Sequence, residues 1–396
     1  MADVLDRILS LAVPSDLHYP RNAQEDPRLH IDELPRPPRH LERTNITLHM
    51  VMVRIFHGLK TIGKVVFILD LVLFATFTAL ITLRFCLKRG ALSRSLHHGN
   101  ESFFFGTFWV SLALIIYSIQ AYGVPSCGKW LVTTLEVLFW LYAACVMLVS
   151  IFQYHVIFDL EQLPVHEMMP AWILPVYPFL VLGPLAGTLL YSQPRPSAAL
   201  PILIGGIAFQ GLGWCFAFMQ YTLYITRLTS GLLPDEPKRP GMFVAVGPAA
   251  YTSQALIILG SQAQAILPSG FLGITTIPVG DIWKAVGVAG GIFLWLVGFW
   301  FFAISLVGFI HGYKHAHFTL NWWALIFPNA GLTIALIHIG NVLSSNAIKA
   351  VCSAMTIVLC AVWLWVAALN IKAVWGGQIL WPHKDEDMED IEGHEQ

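Results

Sequence analysis

The feature that most constrains this chain is a succession of long stretches with almost no charged residue. Each stretch supplies the roughly 20 apolar residues that a helix needs to cross a hydrocarbon core of about 30 Å. Runs this long and uniformly apolar exclude barrel strands, in which polar and apolar residues alternate. The sequence therefore predicts an all-α integral membrane protein with nine spans. These are Val65–Leu83, Ser102–Gly128, Trp130–Phe158, Met168–Pro194, Pro196–Thr226, Pro240–Gly280, Ala285–Tyr313, Phe318–Ile348 and Ala350–Ile371.

The basic residues between the spans predict which loops face the cytosol. Cytosolic loops are enriched in Lys and Arg. The loop after the first span and the loop after the fifth carry most of them: Arg84, Lys88, Arg89, Arg94, Arg227, Lys238 and Arg239. The loops on the other side carry one each: Lys129, Arg195, Lys284 and Lys349. We therefore expect the first set, and with it the acidic tail of residues 384–396, to lie in the cytosol.

The N-terminal region does not fit this orientation. Nine spans would put it outside the cell, yet residues 1–64 contain nine Lys or Arg residues. A further crossing before Val65 would resolve the conflict, but the segment Ile46–Leu59 is short and contains His49, Arg54 and His57, which favours an interfacial or re-entrant segment at best. We expect three regions: residues 1–60, cytosolic or disordered, a transmembrane domain at 61–383, and the tail at 384–396.

Prolines occur inside alternate spans. The interior of Met168–Pro194 contains three, the interior of Pro240–Gly280 contains a Gly-Pro pair, and that of Phe318–Ile348 contains one: Pro175, Pro178, Pro184, Gly247 with Pro248, and Pro328. The neighbouring spans have interiors without proline around Phe139, Gly213, Leu294 and Val362. Because a proline frees backbone groups that neighbours or water must satisfy, this alternation favours an inner ring of kinked helices inside an outer ring of straight ones. The alternative is that prolines are simply commoner in membrane helices.

Three ionisable residues lie inside predicted spans. They are Asp70, Glu136 and His338. Buried charges are expensive in a membrane, so such residues are candidates for gating or proton coupling. The alternative is a structural hydrogen bond between helices. We favour that alternative for Asp70 and Glu136, which lie on predicted outer helices.

A cluster of histidines raises a metal-dependent membrane enzyme as a rival hypothesis. His311, His315 and His317 lie within seven residues at a predicted membrane boundary, and imidazoles are common metal ligands. Such an enzyme needs several clusters at one face, and no second cluster of this kind occurs. We interpret the cluster as a solvated loop and expect no metal, no cofactor and no enzyme activity. The basic residues form no stripe with interleaved aromatics, so no nucleic-acid partner is expected.

Three proline-containing stretches carry a family resemblance. They are Pro170–Pro178 (PAWILPVYP), Pro240–Pro248 (PGMFVAVGP) and Trp322–Pro328 (WWALIFP). The chain resembles, from about His57 to His383, the tellurite-resistance/dicarboxylate transporter family, which includes fungal malic acid transport proteins, sulfite efflux pumps and plant slow anion channels. The acidic tail and Trp381-Pro382 are more similar to the malate type.

The resemblance implies a fold of ten helices in five hairpins around a central pore that the odd helices line. Here Ile46–Arg54 stands where members of the family have their first helix, so the first span is missing on this interpretation. The resemblance also implies a gate at Phe327, which matches an aromatic residue that plugs the pore. Backbone groups freed at Pro175, Pro178, Pro248 and Pro328 would make that pore weakly positive.

The implied function is transport of malate or other four-carbon dicarboxylates. The alternatives are efflux of sulfite or another inorganic anion, and a transport-inactive partner subunit. The family also implies a multi-pass protein in the lipid bilayer, by default in the plasma membrane, and a homotrimer.

Overall fold

The structure, a computed structural model, describes residues 59–88, 90, 95, 99–161, 164–231, 233–313 and 317–378. The predicted N-terminal region, apart from its last two residues, and the acidic tail lie outside the described residues. The chain divides into two compact units, Met1–Gly63 and Lys64–Gln396. The first unit is described only at residues 59–63, which form the first turn of a helix. The packing that follows is that of the second unit.

Within the described part of the chain, nine helices are long and apolar enough to cross a membrane. This confirms the predicted all-α membrane fold and the number of spans. The α-helical portions are α1 (Leu59–Leu87), α2 (Gly99–Gly123), α3 (Lys129–Val156), α4 (Tyr177–Leu190), α5 (Pro196–Ser230), α6 (Val246–Ile266), α7 (Val279–Gly312), α8 (Phe327–Val342) and α9 (Asn346–Trp375).

The boundary between the sixth and seventh spans differs from the prediction. Helix α6 ends at Ile266 and α7 begins at Val279, so residues 267–278 form a loop, whereas the sequence predicts that they belong to the sixth span. Pro268 cannot continue the preceding helix, and Gly270 takes a left-handed conformation with a φ of 74°. The loop contains no charged residue, and hydropathy alone therefore gave no sign of it.

Burial divides the helices into two sets. The hydrophobic centre of the span Pro170–Leu190 is wholly buried, that of Glu236–Ile266 is 89% buried and that of Leu320–Val342 is 61% buried. The spans that contain α1, α3, α5, α7 and α9 are at most 33% buried, and α1 is not buried at all. We call α2, α4, α6 and α8 the inner helices and the remaining five the outer helices. In the inner set, α2 packs on α4, α4 on α6 and α6 on α8.

The burial pattern follows the predicted alternation of prolines with two qualifications. Helix α2 belongs to the inner set, with 39% burial, although its interior contains no proline. The outer helix α5 contains Pro201 in its second turn, so the prediction that its interior has no proline is wrong. Pro201 is exposed and lies near the start of the helix, where few backbone bonds can be lost.

Glycines allow neighbouring helices to approach backbone to backbone. A Cβ atom on Gly287 of α7 would lie 2.4 Å from the Leu256 carbonyl oxygen of α6, which leaves no room for a side chain. Within the inner set, a Cβ atom on Gly106 of α2 would lie 2.2 Å from the carbonyl oxygen of Leu174, just before α4. Small residues are the usual means of close helix packing in a membrane, where lipid removes the hydrophobic driving force between helices.

Candidate functional site

Three of the inner spans share one construction. Each begins with a 3₁₀ stretch and continues as an α-helix with a proline in its first turn. The 3₁₀ stretches are Pro170–Val176, Glu236–Ala245 and Leu320–Leu325, and the prolines that follow them are Pro178, Pro248 and Pro328. The three spans run in the same direction because one span separates each from the next, so the three breaks lie towards the same side of the membrane.

A tyrosine satisfies the backbone group that Pro248 leaves free. Proline has no N–H, so the carbonyl of Val244, four residues earlier, lacks its α-helical donor. The Tyr177 hydroxyl, from α4, donates a hydrogen bond to that carbonyl at 3.0 Å. This contact joins the start of α4 to the break before α6. It also explains why Gly247 is a glycine, since a Cβ atom there would lie 1.6 Å from the Tyr177 hydroxyl oxygen.

A second tyrosine is inserted into the same broken turn from the outer helix α5. The Tyr221 hydroxyl donates to the Ala245 carbonyl at 2.6 Å and accepts from the Ala249 N–H at 3.3 Å. In an α-helix these two backbone groups would bond to each other. The hydroxyl therefore bridges them, and it supplements the backbone bonds that remain at the break, such as those from the Val246 N–H to the Phe243 and Val244 carbonyls.

The break before α8 is held in a related way. Phe327 is the first residue of α8, and its carbonyl accepts a hydrogen bond from the Tyr251 hydroxyl of α6 at 2.9 Å. The Asn329 side-chain amide donates to the Leu325 carbonyl at 2.8 Å. The Asn329 side-chain oxygen is buried and has no hydrogen-bond partner among the described residues.

Three aromatic rings from three inner helices meet beside these breaks. The Phe327 ring centroid lies 5.0 Å from that of Tyr251 in a stacked arrangement and 5.7 Å from that of Tyr177. The two tyrosine rings are 6.4 Å apart and roughly perpendicular. Both tyrosines are buried, and Phe327 is half-buried. We call Tyr177, Tyr251 and Phe327 the aromatic cluster.

A buried amide on the outer helix α5 bridges α4 and α6. The Gln210 side-chain oxygen accepts from the Gly183 N–H at 3.2 Å, and its nitrogen donates to the Thr252 hydroxyl at 2.8 Å. The Thr252 hydroxyl in turn donates to the carbonyl of Pro248 at 2.7 Å. Because Gln210 is 2% exposed, these bonds are made away from water and fix the spacing of the two inner helices.

The predicted intramembrane ionisable residues lie apart from the aromatic cluster. Asp70 is exposed on α1. Glu136, on α3, forms an ion pair with Arg195 and accepts a hydrogen bond from Gln193 at 3.2 Å, both from the loop between α4 and α5. His338 is buried on α8, about three turns beyond Phe327.

The histidine cluster is described only in part. His311 lies exposed at the end of α7 and His317 is exposed, whereas His315 lies outside the described residues. Among the residues that the structure does describe, no group of three or more His, Cys, Asp or Glu could hold a metal ion.

Tyr177, Tyr251, Gln210 and Gly106 were not singled out from the sequence. One signal for Tyr177 was present, because an aromatic residue directly precedes proline both at Tyr177-Pro178 and at Phe327-Pro328. Nothing in the sequence distinguishes Tyr251, and its role depends on a contact between residues 76 positions apart.

Comparison with known proteins bears on what this arrangement does. Residues 44–371 match the family described as SLAC1: Voltage-dependent anion channel. The chain is 30% identical over 335 residues to the malic acid transport protein of Schizosaccharomyces pombe, which covers 84% of this chain and 76% of the relative. A putative malic acid transport protein of the same organism is 30% identical over 341 residues, covering 85% and 78%.

A more distant relative has a different named substrate. The sulfite efflux pump SSU1 of Trichophyton rubrum is 26% identical over 316 residues, which covers 80% of this chain and 83% of the relative. No solved structure matched the chain.

Proposed function

The chain belongs to the SLAC1 family of voltage-dependent anion channels, and on that premise we propose that it moves malate or a similar four-carbon dicarboxylate between its inner helices. As a member, it is a multi-pass membrane protein of a family of anion transporters and channels. The malate assignment draws on the two fungal relatives named for malic acid transport, each 30% identical to this chain.

The observation that carries the proposed pathway is the meeting of three helix breaks at the aromatic cluster. Irregular backbone at membrane depth is tolerated where it is buried in protein or lines a wet cavity. The first turns of α4, α6 and α8 also direct N–H groups and the positive ends of helix dipoles towards the breaks. Pro175, Pro178, Gly247, Pro248 and Pro328 are, on this proposal, the residues that shape the pathway.

The pathway attracts anions weakly. From Ser102 to Gly123, and throughout α4, α6 and α8, the chain has no Asp, Glu, Lys or Arg. Partial charges on helix ends and hydroxyl groups therefore supply the attraction within these segments, whereas Glu236, Lys238 and Arg239 lie in the 3₁₀ stretch before α6. Conduction requires that an ion bind well enough to enter and weakly enough to leave, and dipoles without a full opposite charge meet both conditions.

Phe327 is the proposed gate. Its ring is half-buried against the rings of Tyr177 and Tyr251, where it can fill a narrow apolar constriction. Such a constriction is closed both by bulk and by dewetting, since a hydrated anion must lose water to pass. His338, buried on the same helix, remains a candidate for proton coupling, whereas the Arg195 partner of Glu136 favours a structural role for that carboxylate.

Sulfite or another small inorganic anion is the second candidate substrate. The 26% identity to a sulfite efflux pump over 80% of the chain favours it. The same family resemblance favours a homotrimer in the plasma membrane.

The test is anion flux into liposomes that contain the purified protein. We expect labelled malate to enter faster than into protein-free liposomes, and Phe327→Ala to raise basal flux because it removes the plug. The matched control is Phe293→Ala, which removes an exposed ring from the outer helix α7 and should leave flux unchanged.

The other possible results of the flux assay distinguish malate transport from the alternative functions. Sulfite flux without malate flux would replace the substrate assignment. Absence of flux for every anion, in wild-type protein and in Phe327→Ala alike, would indicate a transport-inactive partner subunit.

A further inference from the structure

We propose that the gate is the whole aromatic cluster, and that the hydroxyl groups of Tyr251 and Tyr177 act as positioning groups that hold Phe327 closed. This inference rests on the proposed function, because it requires that Phe327 obstruct an anion pathway.

Tyr251 contacts Phe327 in two ways. Its ring stacks on the Phe327 ring with an interplanar angle of 27°, and its hydroxyl donates to the Phe327 carbonyl at 2.9 Å. One edge of the Tyr251 ring packs against the backbone of Gly331. A Cβ atom built on Gly331 would lie 2.8 Å from the ring carbon of Tyr251 that bears the hydroxyl. The ring is thus wedged between Phe327 and the next turn of α8, so neither Tyr251 nor Phe327 can move alone.

Tyr177 makes the equivalent connection one helix earlier. Its ring contacts both Phe327 and Tyr251, and its hydroxyl donates to the Val244 carbonyl before α6. The Tyr177 hydroxyl therefore fixes the cluster to the break in α6, which sets the direction from which Tyr251 approaches Phe327.

The two hydroxyls form a directional series across the inner helices. The donor on α4 bonds to a carbonyl at the break before α6, and the donor on α6 bonds to the carbonyl of the first residue of α8. Displacement of Phe327 together with the first turn of α8 would strain the Tyr251 bond and both ring contacts, and the Tyr177 ring connects that strain to the bond at the Val244 carbonyl. We therefore expect the three helix starts to open together, as one unit.

The expected size of the effect follows from the strength of one buried hydrogen bond. Loss of one such bond shifts a two-state equilibrium by about three- to tenfold. Replacing tyrosine by phenylalanine removes the hydroxyl and keeps the ring, so the plug stays while its restraint is lost. Basal conductance should rise by about that factor in Tyr251→Phe, and by a smaller factor in Tyr177→Phe, whose hydroxyl does not bond to Phe327.

Chloride conductance in planar bilayers tests this, because chloride reports an open constriction whether or not malate is the substrate. Tyr154→Phe is the matched control. Its hydroxyl also donates to a carbonyl of an inner span, that of Trp172 at 3.0 Å, but its ring packs on Phe158 and Phe216. We expect conductance to rise in Tyr251→Phe and to match wild type in Tyr154→Phe, with equal amounts of folded protein in each by size-exclusion chromatography.

A double variant separates positioning from a general loss of stability. If Tyr251 acts through Phe327, adding Tyr251→Phe to Phe327→Ala gives no further increase in conductance. If Tyr251→Phe does not yield folded protein, the same comparison is made with Tyr177→Phe, alone and combined with Phe327→Ala.

The outcomes distinguish failure of the proposed gate from failure of the positioning role of the tyrosines. No conductance in Phe327→Ala rejects the proposed gate itself. Conductance in Phe327→Ala together with wild-type behaviour in both tyrosine variants rejects the positioning role alone. Independent, multiplicative increases in the double variant also reject it, because they show that the hydroxyl does not act through Phe327.

Discussion

The inner and outer helices are all apolar enough to cross a membrane, the inner spans with a mean hydropathy of 1.5–1.8 and the outer ones with 1.8–2.4, yet they differ in continuity and burial. The outer helices α5 and α7 run unbroken for 35 and 34 residues and expose much of their surface. The inner helices α4, α6 and α8 start from 3₁₀ stretches and are mostly buried. Lipid is as apolar as leucine, so the hydrophobic effect does not drive a helix to the inside of the bundle. Backbone groups freed by proline need partners, which favours a buried position for α4, α6 and α8.

The largest expected effect is a loss of stability when a side chain is placed at the close contact between two inner spans. In Gly106→Ala, the new methyl group would lie 2.2 Å from the Leu174 carbonyl oxygen, and backbone cannot move aside as a side chain can. We expect destabilisation by about 1–3 kcal/mol or more, seen as a lower melting temperature and less monodisperse protein in detergent.

The outer helix α5 supplies the control for this experiment. Nothing lies within 4 Å of a Cβ atom on Gly211, so Gly211→Ala should change stability by no more than about 1 kcal/mol, the difference in helix propensity between the two residues. Equal melting temperatures for the two variants would mean that the close approach at Gly106 does not restrict substitution.

The next effect concerns the proline breaks. Pro248→Leu restores an N–H that can bond to the Val244 carbonyl, so it competes with the Tyr177 hydroxyl and straightens the start of α6. We expect anion flux to fall severalfold while membrane insertion is preserved. Pro201→Leu on α5 makes the same chemical change in an exposed outer turn and should leave flux unchanged. Unaltered flux in Pro248→Leu would assign the break to packing alone.

The smallest expected effect is at the ion pair between the outer helix α3 and the loop that joins α4 to α5. Glu136 and Arg195 have side chains that are 23% and 49% exposed, and exposed ion pairs contribute only about 0–1 kcal/mol. Glu136→Gln should therefore leave the melting temperature and the malate flux nearly unchanged between pH 5 and pH 8. A flattened pH profile of flux would instead make Glu136 a coupling group.

The fold could be predicted from sequence because its main cause is local. A stretch such as Ala350–Ile371 must be a helix in a bilayer, whatever its neighbours are. Prolines indicated three of the four inner helices, α4, α6 and α8, for a similar reason, since the loss of an N–H at Pro248 or Pro328 is a property of the residue itself. The loop at residues 267–278 was missed because apolar loops and apolar helices have the same hydropathy.

The candidate site could be predicted only in part. Phe327 was predicted from the family resemblance. The roles of Tyr251, Tyr177 and Gln210 depend on contacts between positions that are distant in the sequence. A tyrosine hydroxyl that replaces a backbone donor leaves no trace in the periodicity of its own helix. Gly106 gives no signal either, because the carbonyl that excludes its side chain belongs to another span.

The absence of full charge along most of the inner helices has an electrical consequence. A membrane potential does work on charge, about 2.3 kcal/mol per elementary charge for every 100 mV. From Ser102 to Gly123 and along α4, α6 and α8 there is no Asp, Glu, Lys or Arg for the field to pull, so movement of these segments transfers almost no gating charge. Voltage would then act on the permeating anion itself, and the driving force on the current would be separate from the equilibrium that opens the constriction.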